Sequence, residues 1–299
     1  MKKSVSLLLA ALMLTGALAG CGSSASASDT QAADGADSGV SGAITVISRE
    51  DGSGTRGAFI ELTGVEEKTA DGKKVDNTTA DAEIANKTDV VLTSVAGNEK
   101  AIGYISLGAL NDTVKAVKVD GAEATVDNVK AGAYKLSRPF NIATKGELTG
   151  LAKDFISFIL SKEGQAVVTD NKYIAVNDAA ESFVSDGSSG QIAVGGSSSV
   201  SPVMEKLIEA YKSVNPNASI DLQTSDSTSG MTGAMDGTFA IGMASRELKD
   251  EEAAQLTGTA IALDGIAVIV NPANTIDELS MDQIKSIYVG DITDWGDLA

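Results

Sequence analysis

The 299-residue chain has no histidine and a single cysteine, Cys21. Without imidazole, Ser-His-Asp and Cys-His nucleophile arrangements are excluded, as are most zinc, copper and iron sites, so no metal or cofactor is expected. One cysteine permits no intrachain disulfide. Aromatic residues make up only 4% of the chain, with one tryptophan, a poor supply for stacking sugars. The 41 acids could furnish a carboxylate pair for glycoside hydrolysis, but little else supports it, and the expectation is a protein that is not an enzyme. Cations are scarce as well: 23 Lys and Arg against 41 Asp and Glu leave a net charge of -18. Binding a nucleic-acid backbone needs clustered basic side chains, so no nucleic-acid partner is expected. No G-x-x-x-x-G-K-[ST] pattern occurs.

What is present begins with a leader. "MKKSVSLLLAALMLTGALAGC" has two lysines, a short apolar stretch and small residues before Cys21, the features of a secretory signal over 1–21. Its ending, "LAGC", resembles the lipobox of bacterial lipoproteins, which implies lipid attachment (palmitate) at Cys21 and anchoring to the extracytoplasmic face of the cell membrane. Residues 22–42 are small, polar and acidic, and read as a flexible tether.

Beyond the tether, apolar runs alternate with helix-periodic segments, the mark of an α/β fold. "AITVIS" (43–48), "IAVGG" (192–196), "ASIDLQTS" (218–225), "FAIGMAS" (239–245) and "AIALDGIAVIVN" (260–271) read as strands. "SPVMEKLIEAYKSVNP" places Met204, Leu207, Ile208 and Tyr211 on one helical face behind Pro202, and "LAKDFISFILSKEGQAVV" carries a stripe of Phe155, Phe158 and Ile159. "SMDQIKSIYVG" opens with Ser280 and Gln283 in capping-box spacing. The turn-rich "ESFVSDGSSGQ" (181–191) reads as a linker.

Three hydroxyl-rich turns each follow a strand and enter a helix: "SREDGSGTRGAF" (48–59), "GGSSSVSPVMEKL" (195–207) and "SDSTSGMTGAM" (225–235). A helix N-terminus offers unpaired N–H donors and about half a unit of positive charge, so a small anion binds there without a formal cation. Each turn alone is equally an ordinary cap; three together suggest an oxyanion site. Of the four arginines, Arg49, Arg56 and Arg246 lie in or beside these turns. They suit bidentate recognition of an oxyanion or, alternatively, pairing with local acids such as Asp51 and Glu247.

"GGSSSVSPVMEKLIEAY", "DSTSGM", "IGMASRELKDEE", "ALDGIAVIVN", "IKSIYVGDITDW" and "SREDGSGTRGAF" together resemble the phosphate-binding lipoproteins of bacterial ABC phosphate importers. The resemblance covers nearly all of the chain after residue 42. It implies a two-lobed type II periplasmic-binding-protein fold that closes on inorganic phosphate, acts as a monomer and delivers its ligand to membrane permease subunits. The ligands it implies are Arg49, Ser53, Gly54 and Thr55 from one turn, Ser198 and Ser199 from the second and Ser227 from the third, with Ser245, Arg246 and Arg56 as further candidates. It also implies that Asp51 holds Arg49. Where some members place an aspartate that accepts the phosphate proton, this chain has Arg246 after Ser245. That departure keeps open another tetrahedral oxyanion, such as sulfate or molybdate, and a surface protein without a transport role is a further alternative.

The order of these segments is circularly permuted relative to the family: 43 to about 180 precedes 191–299. A gene fusion, a misassembled gene or a slice of a tandem protein would read the same way. The permutation implies one lobe built from 43–111 plus 271–299, a continuous lobe over 112–270 that includes the linker, and chain ends that meet, with Ala299 near the "AITVI" strand. Net charge is a weak argument against an anionic ligand, because surface charge is screened beyond about 8 Å at physiological salt.

Overall fold

The computed structural model describes residues 40–298; the expected signal segment with Cys21, residues 22–39 of the expected tether, and Ala299 lie outside the described residues. The strands are β1 (Thr45–Arg49), β2 (Glu66–Lys68), β3 (Lys74–Asp76), β4 (Glu83–Ala85), β5 (Ala101–Ser106), β6 (Lys115–Ala116), β7 (Lys118–Val119), β8 (Ser137–Thr144), β9 (Gly190–Ser197), β10 (Ala218–Ser225), β11 (Ile241–Ala244), β12 (Thr257–Val270) and β13 (Glu278–Leu279). The helices are α1 (Gly54–Thr63), α2 (Thr88–Ala96), α3 (Val126–Lys130), α4 (Gly150–Leu160), α5 (Lys162–Asp170), α6 (Ser201–Val214), α7 (Ser227–Asp236), α8 (Asp250–Ala253) and α9 (Met281–Val289). All five expected strands form, and the capping box at Ser280 and Gln283 closes with both of its hydrogen bonds.

The main sheet runs in the order β10-β9-β11-β8-β12-β5-β1-β4, with β6 added beside β12. Its two wings are parallel: β9 pairs with β10 and β11, and β1 with β4 and β5. Strands β8 and β12 join the wings by antiparallel pairing. Strand β12 pairs with β8 over Thr257–Gly265 and with β5 over Ile266–Val270, so one strand passes from one wing into the other.

Two large hydrophobic cores flank this crossing. In one, Phe59 stacks on Tyr104 with ring centroids 3.9 Å apart, beside Tyr288 and Trp295. In the other, Phe155 and Phe158 pack on Tyr211, together with the Met204 and Leu207 face of α6. The division of the cores differs from the expected one. Val114, Val129, Tyr134 and Leu136, and the run Ile266–Val270, were expected in a continuous 112–270 lobe, yet they pack in the first core with residues of both chain ends. The cause is the pairing of Ile266–Val270 with β5, which turns that half of β12 toward the core β5 serves.

The two ends of the described fold meet. Ala43 bridges Asp294, the Ile44 N–H donates to Thr293 O at 2.8 Å, and the Trp295 indole donates to Lys100 O at 3.0 Å.

The helix read over 151–168 is two helices. Ser161 separates α4 from α5, and its hydroxyl caps the second by accepting from the Gly164 N–H at 3.2 Å. The segment 181–191 has no regular structure before Gly190, but it is fastened down. Phe183 meets Phe158 edge-on at 5.3 Å, and the Asp154 carboxylate accepts from Ser185 Oγ (2.8 Å), the Asp186 N–H (3.0 Å) and Tyr211 OH (2.6 Å). Burial pushes the Asp154 carboxyl up, but these hydrogen bonds outweigh it and hold it below the usual range. Because hydrogen bonds to a charged acceptor are each worth roughly 1.5–3 kcal/mol, Asp154→Ala is expected to lower stability by about 2 kcal/mol and free the linker. Limited proteolysis with mass mapping reads this as faster cleavage within 181–190; an unchanged pattern contradicts it.

Candidate functional site

The three expected turns converge. Each places its hydroxyls at the start of a helix, α1, α6 or α7, and a fourth helix, α2, joins them. Thr55 Oγ1 lies 2.8 Å from Ser199 Oγ and 3.5 Å from Ser245 Oγ. Ser197 Oγ donates to Ser245 Oγ at 3.0 Å, and the Ser245 N–H donates to Ser227 Oγ at 3.1 Å. Thr88 Oγ1 is 3.3 Å from both Ser198 Oγ and Ser199 Oγ. Arg49 closes the chain, its Nη2 donating to Ser198 Oγ at 3.1 Å and its Nη1 to Thr88 Oγ1 at 3.5 Å. Every one of these side chains is buried.

Arg49 is held from behind, though not by the acid expected. Glu50 grips it in bidentate fashion, Nε to Oε2 and Nη2 to Oε1 both at 2.8 Å, and Nε also donates to Ala85 O at 3.2 Å. Asp51, expected to support Arg49, instead pairs with Arg56 at 2.8 Å and is 97% exposed. The reason is local: Arg56, one turn into α1, reaches back to Asp51, to Asp76 and to the Arg49 carbonyl, and draws the Asp51 carboxylate outward. Arg56 is thereby committed outside the hydroxyl cluster.

The other turn residues divide as follows. The Ser53 hydroxyl accepts from the Arg56 N–H at 3.3 Å and serves as the cap of α1. Gly54 is required by close approach: a Cβ there would lie 2.5 Å from Ser227 Oγ and 2.9 Å from Ser245 Oγ. Gly52, Gly54 and Gly57 have the spacing of a dinucleotide-binding turn, but the approach they allow here is taken by side chains of the facing segment. Ser245 belongs to the cluster. Arg246 does not, because its guanidinium turns to Glu252, with contacts of 2.7 and 2.8 Å.

Thr88, Ser197 and Glu50 join the cluster, and of these Thr88 and Glu50 were not anticipated. Thr88 escaped because the cap position of α2 is Lys87, which makes no side-chain cap, so the usual Ser/Thr/Asp/Asn signature before the helix is missing. Ser197 was named only as part of its turn, and Glu50 was overshadowed by Asp51.

Four helix N-termini, seven hydroxyls (Thr55, Thr88, Ser197, Ser198, Ser199, Ser227 and Ser245) and one guanidinium are thus gathered in one buried, hydrogen-bonded cluster. The chemistry this offers is dense hydrogen-bond donation with modest positive charge, suited to a small tetrahedral oxyanion. It contains no nucleophile paired with a base.

A family model described as a PBP superfamily domain matches residues 25–163 and 182–299, and the chain belongs to that superfamily. It is 50% identical over 300 residues to "Phosphate-binding protein PstS 2" of Streptococcus agalactiae serotype V, covering 99% of this chain and 98% of that protein. It is 49% identical over 296 residues to "Phosphate-binding protein PstS 2" of Streptococcus pneumoniae serotype 4, covering 99% of each. The crystal structure of a phosphate-binding protein of a phosphate ABC transporter from Streptococcus pneumoniae TIGR4 superposes with a TM-score of 0.69 at 51% identity. It covers 86% of this chain and 100% of that one. Within the superfamily, the family is that of the PstS phosphate-binding proteins. Because the sequence matches run end to end, the order of segments here is also that of these relatives.

Proposed function

We propose that this chain is the extracytoplasmic binding protein of an ABC phosphate importer, capturing inorganic phosphate between two lobes and passing it to permease subunits. The observation that carries this reading is the hydroxyl and Arg49 cluster at four helix N-termini, in a chain half identical, end to end, to proteins named for phosphate binding. The two cores correspond to the lobes, and β8 and β12 to the segments that connect them. The resemblance at Cys21 supports a lipid anchor and the acidic tether a spacer from the membrane. Arg49, Thr55, Thr88, Ser198, Ser199, Ser227 and Ser245, with the backbone N–H groups of Gly54 and Thr55, are the proposed ligands; Ser53 acts as the cap that orients them.

Selectivity follows from what accepts the proton of hydrogen phosphate. With Arg246 turned to Glu252, the hydroxyl cluster contains no carboxylate besides Glu50, which faces Arg49. A backbone carbonyl, or a serine or threonine oxygen whose own proton is committed to another partner, therefore takes that role. A fully ionised oxyanion leaves this acceptor unsatisfied at a cost of about 1–3 kcal/mol. Titration calorimetry with phosphate, sulfate and molybdate at neutral pH is expected to show phosphate bound about 5- to 100-fold more tightly than sulfate. Equal affinities would overturn the selectivity argument, and no heat from any of the three would overturn the proposed function.

A further inference from the structure

One run of hydrogen bonds lies beside the cluster and includes none of the proposed ligands. The Gly52 carbonyl, in the turn after β1, accepts from both the backbone N–H and Oγ1 of Thr228, each at 3.2 Å. Thr228 lies in the first turn of α7, next to Ser227. Arg246 Nη2 donates to the same Oγ1 at 3.3 Å, which leaves the hydroxyl proton to Gly52 O and gives the relay one direction. Arg246 is itself fixed, its two Nη atoms donating to the two oxygens of buried Glu252, which also accepts from the Lys249 N–H at 2.8 Å. The Arg246 stem backs the ligand turn, with its Cγ 3.0 Å from the position of a Cβ on Gly54.

The two sides of this relay serve different cores. Gly52 follows β1, whose Val46 and Ile47 are in the first core; Thr228 and Arg246 follow β10 and β11, whose Ile220 and Met243 are in the second. The relay therefore ties the turn carrying Ser53, Gly54 and Thr55 to the turn carrying Ser227, and sets the spacing between two groups of ligands. We propose that Thr228 and Arg246 form a latch that holds the two halves closed over the oxyanion. They are positioning residues, and neither touches the ligand. The position after Ser245, where the resemblance implies an aspartate that accepts the ligand's proton, is used here, through Arg246, for closure. The inference rests on the proposed phosphate-binding function.

The test compares the wild-type protein with Thr228→Val, which keeps the shape and loses the hydroxyl, Thr228→Ser, which keeps the hydroxyl, and Arg246→Met, which keeps an apolar stem. Release of inorganic phosphate is followed by rapid mixing with an excess of a fluorescent phosphate sensor. Thr228→Val and Arg246→Met are expected to release phosphate about fivefold faster with the association rate unchanged, while Thr228→Ser stays within about twofold of wild type. Wild-type release from Thr228→Val, or fast release from Thr228→Ser, overturns the latch. If the wild-type protein binds no phosphate, the proposed function fails, and the latch is read separately. Spin labels at Glu61→Cys and Thr232→Cys, in a Cys21→Ala background, report the separation of the halves. A shift to longer distances in Thr228→Val supports the latch, and an unchanged distribution overturns it.

Discussion

Arg49→Ala is expected to weaken phosphate binding at least tenfold, and as much as about a hundredfold, while the protein remains folded. Arg49 is the cation that donates into the hydroxyl cluster, reaching Ser198 Oγ at 3.1 Å from a fully buried position. A charged hydrogen bond in such a place is worth roughly 1.5–3 kcal/mol, which is about 10- to 150-fold in affinity. The neighbouring acids separate positioning from mere proximity. Glu50→Gln should lose part of that affinity, because it holds both Nε and Nη2 of Arg49. Asp51→Asn should leave it unchanged, since Asp51 points outward to Arg56. Calorimetric titration of the three variants checks this order; full affinity in a folded Arg49→Ala protein would remove Arg49 from the site.

Arg138→Met is expected to destabilise the protein by about 3–5 kcal/mol at pH 7, the cost typical of leaving a buried charge without its partner. Arg138 on β8 lies opposite Asp264 on β12, with Nη2 3.1 Å from Oδ2, where the two joining strands cross from one core to the other. Both side chains are buried. Burial pushes the Asp264 carboxyl up to about 6 even though Arg138, Ser106 and the Gly108 N–H favour its charged form, and burial lowers Arg138 to about 10. The sign for pH follows from Asp264. Its folded pKa stands above the ordinary value, so the folded state takes up a proton first, and this group adds stability as pH falls from 7 through 6 toward 4. In Arg138→Met the carboxyl lacks its counter-charge and is pushed up further, so the deficit should shrink from pH 7 to pH 5. Urea unfolding at the two pH values measures this. An equal deficit at both, or none at pH 7, would contradict it.

The site and the fold were legible in the sequence to different depths. The turns at 48–59, 195–207 and 225–235 were readable because helix capping is local: hydroxyls, glycines and an apolar-periodic stretch lie within a dozen residues. The strands of 43–48 and 260–271 were readable from short, largely apolar runs rich in Ile and Val. The partner of each arginine was not, because a guanidinium finds its acid through rotamers and neighbours that spacing does not determine. Asp51 and Glu50 are adjacent in sequence, and Arg56 decides between them. The break at Ser161 was hidden for a related reason: apolar periodicity continued across it, while the cap formed by its hydroxyl interrupts the helix in space.

The sequence by itself determined the absence of histidine and disulfide chemistry, the alternation of strands and helices, and three of the four helix-entering segments that meet in the hydroxyl cluster. These depend on composition and on short-range patterns. Tertiary structure alone decided the rest. It brought Thr88 into the cluster from a helix without a capping signature, gave Arg49 to Glu50 and Arg246 to Glu252, and moved the boundary between the cores by pairing the second half of β12 with β5. Each of those outcomes is a choice among long-range partners, made by packing and by the need to pair every buried charge.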